Sequence, residues 1–474
     1  MAIKTYHPKI EVRLIKLVAR KSGVSARYQA NPRDVDLTPY LGEAGAVRTV
    51  KGLSEPAGGF TVSFADQSRG GLDSVYSLVE PMDMIEIRGA REPHRHAGGK
   101  LPLLMRGYVS TVHRSETMGA NGEPDRVVTI AGQDSAKLLL IHQINFELGW
   151  IMETPYLTKY QLQAQTGMVA GVVRVKDYVT DVVKAVANKK LEELAGYSCR
   201  LMLPFDVKAT VPDGSLTPGS IAPLQGSIWN LLEAHTDRPW NELFVEDTEE
   251  GPVVVFRPAP FKDLAGTLIL PGATAPDVVE LDAAAVQSLA MARSDSRVGN
   301  WFWVPPGTST LDSSGWISRG TLHDGSQLDF EHGNNKPDLY GVKRVQHKTT
   351  LMPDLDRPLP QAPPDQQAAG NTAYVTWHIR RAQQLRELNR DNVVFEEGSA
   401  TVRGSEDLKP GRYLRLTRGD QTSESYISRV EHSFSPLRSW TTLLRLERGT
   451  GFLERSKATQ NPYFTEGRRG PYSL

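Results

Sequence analysis

The chain has one cysteine, Cys199, in 474 residues. A lone thiol can neither close an internal disulfide nor complete a zinc cluster, so an inert packing residue, consistent with a reducing compartment, is the expectation for it. An excess of either charge is also lacking. The 55 basic and 55 acidic side chains cancel, and no global attraction to nucleic acid or anionic lipid follows. No stretch approaches the roughly 18 uncharged apolar residues of a membrane helix, and the start, MAIKTYHPKIEVRLIK, lacks the apolar centre of a signal peptide. The expectation is a chain neither exported by that route nor inserted in a membrane. Reactive motifs are missing too: there is no Gly-x-x-x-x-Gly-Lys-(Ser/Thr) loop, no Gly-x-Ser-x-Gly elbow and no Ser-x-x-Lys in a catalytic context, which leaves no motif for phosphate binding or nucleophilic catalysis. His94-Arg-His96 is the one close histidine pair. Prolines and glycines around it put it on a loop, and neither a metal nor a cofactor is expected.

What is present is strand. With 39% hydrophobic and 23% charged residues, 41 glycines and 31 prolines, the composition is that of a soluble, turn-rich globular protein. Its length exceeds what one core supports, so two to four domains are expected. Alternation of apolar and polar residues marks strands at Ile10 to Leu14, Phe60 to Phe64, Met84 to Ile87, Tyr108 to Val112 and Val128 to Ile130, divided by glycine-rich turns; six or so such strands predict a small barrel or sandwich over 1–145. A mixed α/β domain is predicted for 146–270. It holds a helix carrying Val179, Val182, Val183, Val186, Leu191 and Leu194 on one stripe, a second helix capped by Ser227, and a hairpin of Asn241 to Asp247 with Pro252 to Pro260. For 271–370 the reading is the start of a second barrel, with a helix at about 283–289, an aromatic strand at Trp301-Phe-Trp303 and a proline- and glutamine-rich linker from 354 to 369. An amphipathic helix from 371 or 372 to about 389 precedes further strands up to 450, and 451–474 reads as a docking tail.

One pattern is written twice. Tyr108-Val-Ser-Thr-Val-His-Arg-Ser115 returns as Tyr426-Ile-Ser-Arg-Val-Glu-His-Ser433. Upstream, Pro81-Met-Asp-Met-Ile-Glu-Ile87 matches Pro410-Gly-Arg-Tyr-Leu-Arg-Leu416. Downstream, Arg126 to Ile130 is aligned with Thr442 to Leu446, each followed by a glycine, Gly132 and Gly449. Three strands recur in one order, and the connection between the first two differs, 20 residues against nine, as a loop permits. The overall expectation is a mainly β fold with α+β insertions, with two similar small β-barrel domains in one chain and mixed middle domains. Three such chains would set six barrels around an axis, so a threefold oligomer could mate with a sixfold ring.

The order Phe60-Thr-Val-Ser-Phe-Ala-Asp66, Pro81 to Ile87, Leu104-Met-Arg-Gly-Tyr-Val-Ser-Thr-Val112 and Val127-Val-Thr-Ile-Ala-Gly-Gln-Asp134 resembles the first barrel of baseplate hub proteins of contractile-tailed bacteriophages. Ile228-Trp-Asn-Leu-Leu232, Trp240 to Asp247 and Val255-Phe-Arg-Pro-Ala-Pro260 look like their middle segment, and 424–448 like their second barrel. The resemblance spans roughly 300 of the 474 residues. It implies a non-enzymatic homotrimer in the tail baseplate of a virion, assembled in the host bacterial cytoplasm. Its partners would be the tail tube protein, the central spike protein and the tape-measure protein, with DNA only in transit through the channel. By resemblance and position, Tyr108, Val112, Tyr426, Val430, Phe452 and Tyr463 are the residues expected at subunit or partner contacts.

A competing class stays open, a multidomain β carbohydrate-binding or cell-wall-degrading enzyme. Trp301 and Trp303 offer rings for stacking on a glycan or for docking a partner, against a plain buried strand. Glu242, Glu246 and Asp247 offer carboxylates, against a solvated hairpin. The basic run Ile379 to Arg386 suits either a channel with DNA or an ordinary solvated helix face.

Overall fold

In the computed structural model, the described residues are 7–16, 21–22, 25–26, 33–43, 45–66, 74–96, 98–118, 122, 124–144, 173–189, 191–192, 203–216, 226–304, 334–354, 364–418, 421–436 and 439–451. Cys199, Leu194, Phe452, Tyr463 and the tail predicted beyond residue 451 lie outside them.

The molecule is built on a 13-stranded sheet that joins two halves of the chain. The first half contributes β1 (Lys9–Lys16), β2 (Arg33–Asp36), β3 (Ala46–Gly52), β4 (Gly59–Ala65), β5 (Met84–Ala90), β6 (Leu103–Met118) and β7 (Pro124–Asp134). They pair side by side as β2, β1, β5, β6, β7, β4, β3. Every second residue of β1 and β4 is buried, which is what alternation dictates for a sheet with one face on a core. That core holds Val12, Leu14, Phe60, Val62, Phe64, Ile85, Ile87, Val109 and Ile130.

The middle of the chain supplies α1 (Lys137–Ile141) and α2 (Val175–Asp181), the latter running on through a wider turn over Val182–Ala187. After β8 (Asp206–Ala209) come α3 (Ile228–Glu233) and the hairpin of β9 (Asn241–Asp247) and β10 (Pro252–Pro258). Ser227 caps α3 as predicted, its hydroxyl accepting from Asn230 N at 3.2 Å. Val179, Val182, Val183, Val186 and Leu191 are buried together with Trp229 and Leu232 in one cluster.

The second half contributes β11 (Val278–Asp282), β12 (Val286–Ala292), β15 (Glu396–Arg403), β16 (Tyr413–Arg418), β17 (Gln421–Ser435) and β18 (Ser439–Gly449). Inserted between β12 and β15 are β13 (Trp301–Trp303), β14 (Arg344–Gln346) and the helix α4 (Pro364–Asn389). The helix begins within the predicted linker, seven residues before the expected start, on a proline, which suits a first turn where no backbone N–H partner exists. The helix expected at about 283–289 is instead a single 3-10 turn at Ala283–Ala285 followed by β12. Three alanines favour helix locally, but pairing with β15 from Val286 to Ala292 overrides that preference.

The two halves are the same unit. In the second, β11, β16, β17, β18, β15 and β12 lie side by side in that order, matching β1, β5, β6, β7, β4 and β3 of the first. All six also follow one another along the chain in the same sequence. Only the first strand departs, since β1 runs antiparallel to β5 while β11 runs parallel to β16. Neither unit is a closed barrel: among the described residues no pairing joins a unit's first strand to its last, and the sheet curls over each core while running on into the other unit. The junction is β3 against β17, with Phe434 opposite Val47 and Arg429 opposite Gly52. A strand edge satisfied by the neighbouring unit has no need to close on its own.

Candidate functional site

The repeated octapeptides occupy equivalent places to the residue. Tyr108 lies opposite Met84 and Tyr426 opposite Tyr413, as the sequence alignment of the two upstream strands requires. The following strand shows where that alignment slips. Val112 faces Ile130, whereas Val430 faces Leu444, so Ile130 corresponds to Leu444, two residues from the match read in the sequence. A shift of two keeps each side chain on its face, which is why alternation could not reveal it. Gly132 is accordingly inside β7, where a β-carbon would come within 2.4 Å of the Phe60 ring and of the Tyr108 carbonyl oxygen; Gly449 ends β18.

Both copies carry a bulge at the same serine. The pairing of β6 with β7 skips between Val109 and Thr111, and that of β17 with β18 skips between Ile427 and Arg429. In a regular strand, residues three apart face opposite ways. The extra residue, Ser110 or Ser428, lets Val109 with Val112, and Ile427 with Val430, turn to the same core. Tyr-(Val/Ile)-Ser-x-Val is therefore the sequence of a bulged strand. The turn before each unit's second strand also repeats: Met82 N and Gly411 N each donate to the carbonyl of Val109 and Ile427 at 2.8 Å, and both residues have positive φ, 70° and 81°.

Tyr108 and Tyr426 point away from those cores and anchor the units to the middle of the chain. Tyr108 and Met84 join the cluster around α2 and α3, and Tyr413 and Tyr426 join Phe244 and Val255 of the β9–β10 hairpin. Tyr426 donates its hydroxyl to Glu242 at 2.7 Å and accepts from Arg257 Nη2 at 3.2 Å. Arg257 also donates to the Gly411 carbonyl at 2.9 Å. Burial raises the Glu242 pKa despite the opposing Arg257 charge. Tyr108, Tyr426 and Val430 are thus enclosed by their own chain, and Val112 is half-buried on the first core.

The other end of the hairpin is tied to the first unit. Lys51 Nζ lies 3.0 Å from both Asp134 and Asp247, and Ser135 donates to Asp247 at 2.7 Å. Burial works against the Lys51 cation, but the two carboxylates outweigh it and raise its pKa. Arg88 bridges Glu86 at 3.0 Å and Glu249 at 2.7 Å, and Arg106 reaches Glu86 at 2.8 Å and the Thr248 carbonyl at 3.0 Å. Glu242 and Asp247, read in the sequence as a solvated hairpin or an active site, belong to buried ionic ties; Glu246 pairs with Lys409 at 3.2 Å. Nothing local in the sequence marks Lys51 and Asp134 as partners, or Phe434 and Trp440 as core residues of the first unit, because these contacts cross large sequence separations.

At the junction itself Phe434 and Trp440 face each other and both pack into the first unit's core. Trp440 fits because residue 404 is glycine, where a β-carbon would sit 2.1 Å from the indole. His432 is buried there, with Nδ1 2.8 Å from Thr442 Oγ1, and desolvation lowers its pKa to about 4. Arg48 reaches Glu431 at 2.7 Å and Arg429 reaches Glu55 at 2.5 Å.

The remaining candidates have local partners. His96 lies 3.2 Å from Glu406 of the second unit, and no group of three or more metal-ligating side chains occurs among the described residues. Arg344 lies over both Trp301 and Trp303, 4.8 and 4.5 Å from the ring centroids, so one indole face of each holds a guanidinium. On α4, Arg381 is buried 3.2 Å from Asp237 and stacks on Trp377 at 4.4 Å, while Arg380 pairs with Asp213.

No protein-family model and no curated protein matches the chain. Among solved structures, the tail protein from Neisseria meningitidis is similar over 93% of this chain and 97% of its own, at 10% identity and a TM-score of 0.47. The 43 kDa prophage tail protein from Shewanella oneidensis is similar over 92% and 96%, at 11% identity and 0.46. A prophage tail protein from Listeria monocytogenes is similar over 92% and 94%, at 6% identity and 0.40.

Proposed function

We propose that the chain is a structural, non-enzymatic hub of a contractile phage tail baseplate. Three copies form a ring that matches the sixfold tail tube on one side and a threefold central spike on the other, around a channel for the tape-measure protein and then DNA. The observation that carries this reading is the repeat of one bulged, register-matched strand unit within one chain, with both copies tied to the β9–β10 hairpin by buried contacts. Doubling a unit lets three polypeptides present six similar surfaces. Obligate assemblies of this kind bury interfaces of roughly 2,000 Å² or more.

The test is the particle in solution. Three chains of 52.4 kDa give about 157 kDa, and light scattering should find that mass, with electron microscopy showing a ring of six similar lobes and a central hole. A monomer, a dimer, or a particle without a threefold axis refutes the proposal.

A further inference from the structure

The internal junction leaves two strand edges whose equivalents are already joined. β17 is flanked on one side by β16 up to Tyr426 and then, from Arg429 to Phe434, by β3. β6 is flanked on that side by β5 up to Tyr108, and among the described residues no strand follows: residues 111–118 are exposed apart from half-buried Val112. The equivalent of β3 is β12, which pairs with β15 alone among the described residues and ends the sheet. Its sequence, Val-Gln-Ser-Leu-Ala-Met-Ala, contains no charge and no proline. Those are the features with which proteins protect an edge from pairing with other chains, and their absence marks a strand meant to be covered.

We infer that the free half-edge of β6 takes up β12 of a second copy of this chain, repeating between molecules the junction that β17 and β3 make within one. Aligning the two units through Ile130 with Leu444 and Val47 with Leu289 gives the antiparallel register: His113 opposite Ala292, Arg114 opposite Met291, Ser115 opposite Ala290 and Glu116 opposite Leu289. The contact is heterologous, so it closes into a ring when the rotation permits.

The two kinds of junction differ in chemistry near the hairpin tip. Inside the chain, the paired residues near the hairpin tip are Phe434 and Trp440, buried in the neighbouring unit. Their equivalents on β6 and β7 are the paired residues Glu116 and Arg126, 3.4 Å apart and exposed. The joint between copies is therefore plugged by an ion pair where the joint within a copy is plugged by two aromatic rings. On pairing, both ions of one copy are brought against the uncharged β12 of the other.

This inference rests on the ring proposed above, and its test separates the two. In the full chain with Cys199→Ser, the pair His113→Cys with Ala292→Cys is oxidised with copper phenanthroline, and the out-of-register pair His113→Cys with Leu289→Cys serves as control. The expected result is dimer and trimer bands on a non-reducing gel for the first pair and at least fivefold less for the control. A 157 kDa ring that gives no cross-link overturns the strand pairing and leaves the hub standing; a chain that stays monomeric at every concentration overturns both.

Discussion

His432 shows what a single position in a repeat can be made to do. Its counterpart in the first unit is Arg114, one-third exposed, whereas His432 is sealed at the junction beside Thr442 and Trp440. Burial sets its pKa to about 4, as it does for His235 and His378. The unfolded chain holds these imidazoles near 6.5, so between pH 6.5 and 4 the unfolded state binds more protons and stability falls as pH falls. Each contributes a slope of at most about 1.4 kcal/mol per pH unit in that window and none above it. Urea unfolding measured from pH 7.5 to 4.5 should show the decline, and His432→Asn should flatten the slope by its one-proton share while the buried carboxylates contribute equally to both proteins. The histidine was visible in the octapeptide, but its burial was not, since the strands that enclose it come from residues 47–52 and 439–449.

A bulge decides the face of everything beyond it in a strand. Ser428 offsets the pairing by one residue, and Val430, His432 and Phe434 reach their buried sites only because it does. Deleting Ser428 would send each of them to the opposite face, exposing three buried side chains and driving Arg429, Glu431 and Ser433 toward the interior. The expected cost exceeds about 4 kcal/mol, read as loss of cooperative unfolding or of soluble protein; a Ser428→Ala protein, which keeps the bulge, should lose under about 1 kcal/mol. An equal effect of the two changes would show that the hydroxyl, and not the extra residue, matters. The strands themselves were legible from alternation, and so was the recurrence of three of them. Their exact register with the third strand was not, because a slip of two leaves the hydrophobic pattern intact.

At the scale of the whole molecule, the β9–β10 hairpin ties the two units together with charge. Asp247 at one end meets Lys51 of the first unit, and Glu242 at the other meets Tyr426 of the second. Lys51→Met keeps the volume but leaves Asp134 and Asp247 buried together without their cation, and a loss of roughly 3–5 kcal/mol is expected in urea unfolding at pH 7. Adding Asp134→Asn and Asp247→Asn should return part of it. If Lys51→Met alone costs under about 1 kcal/mol, the tie does not set the geometry.

By itself the sequence determined that the fold is mainly β, that one strand unit occurs twice, and that α2, α3 and α4 lie between the strands, because periodicity and capping are local properties of neighbouring residues. Only the tertiary structure decided that the units merge into one sheet instead of closing as barrels, that the serine is a bulge, and that the hairpin acids are buried ties. Those outcomes depend on which edges and charges meet across separations such as the 383 residues between Arg48 and Glu431, and burial of that kind leaves no mark on the alternation of any single strand.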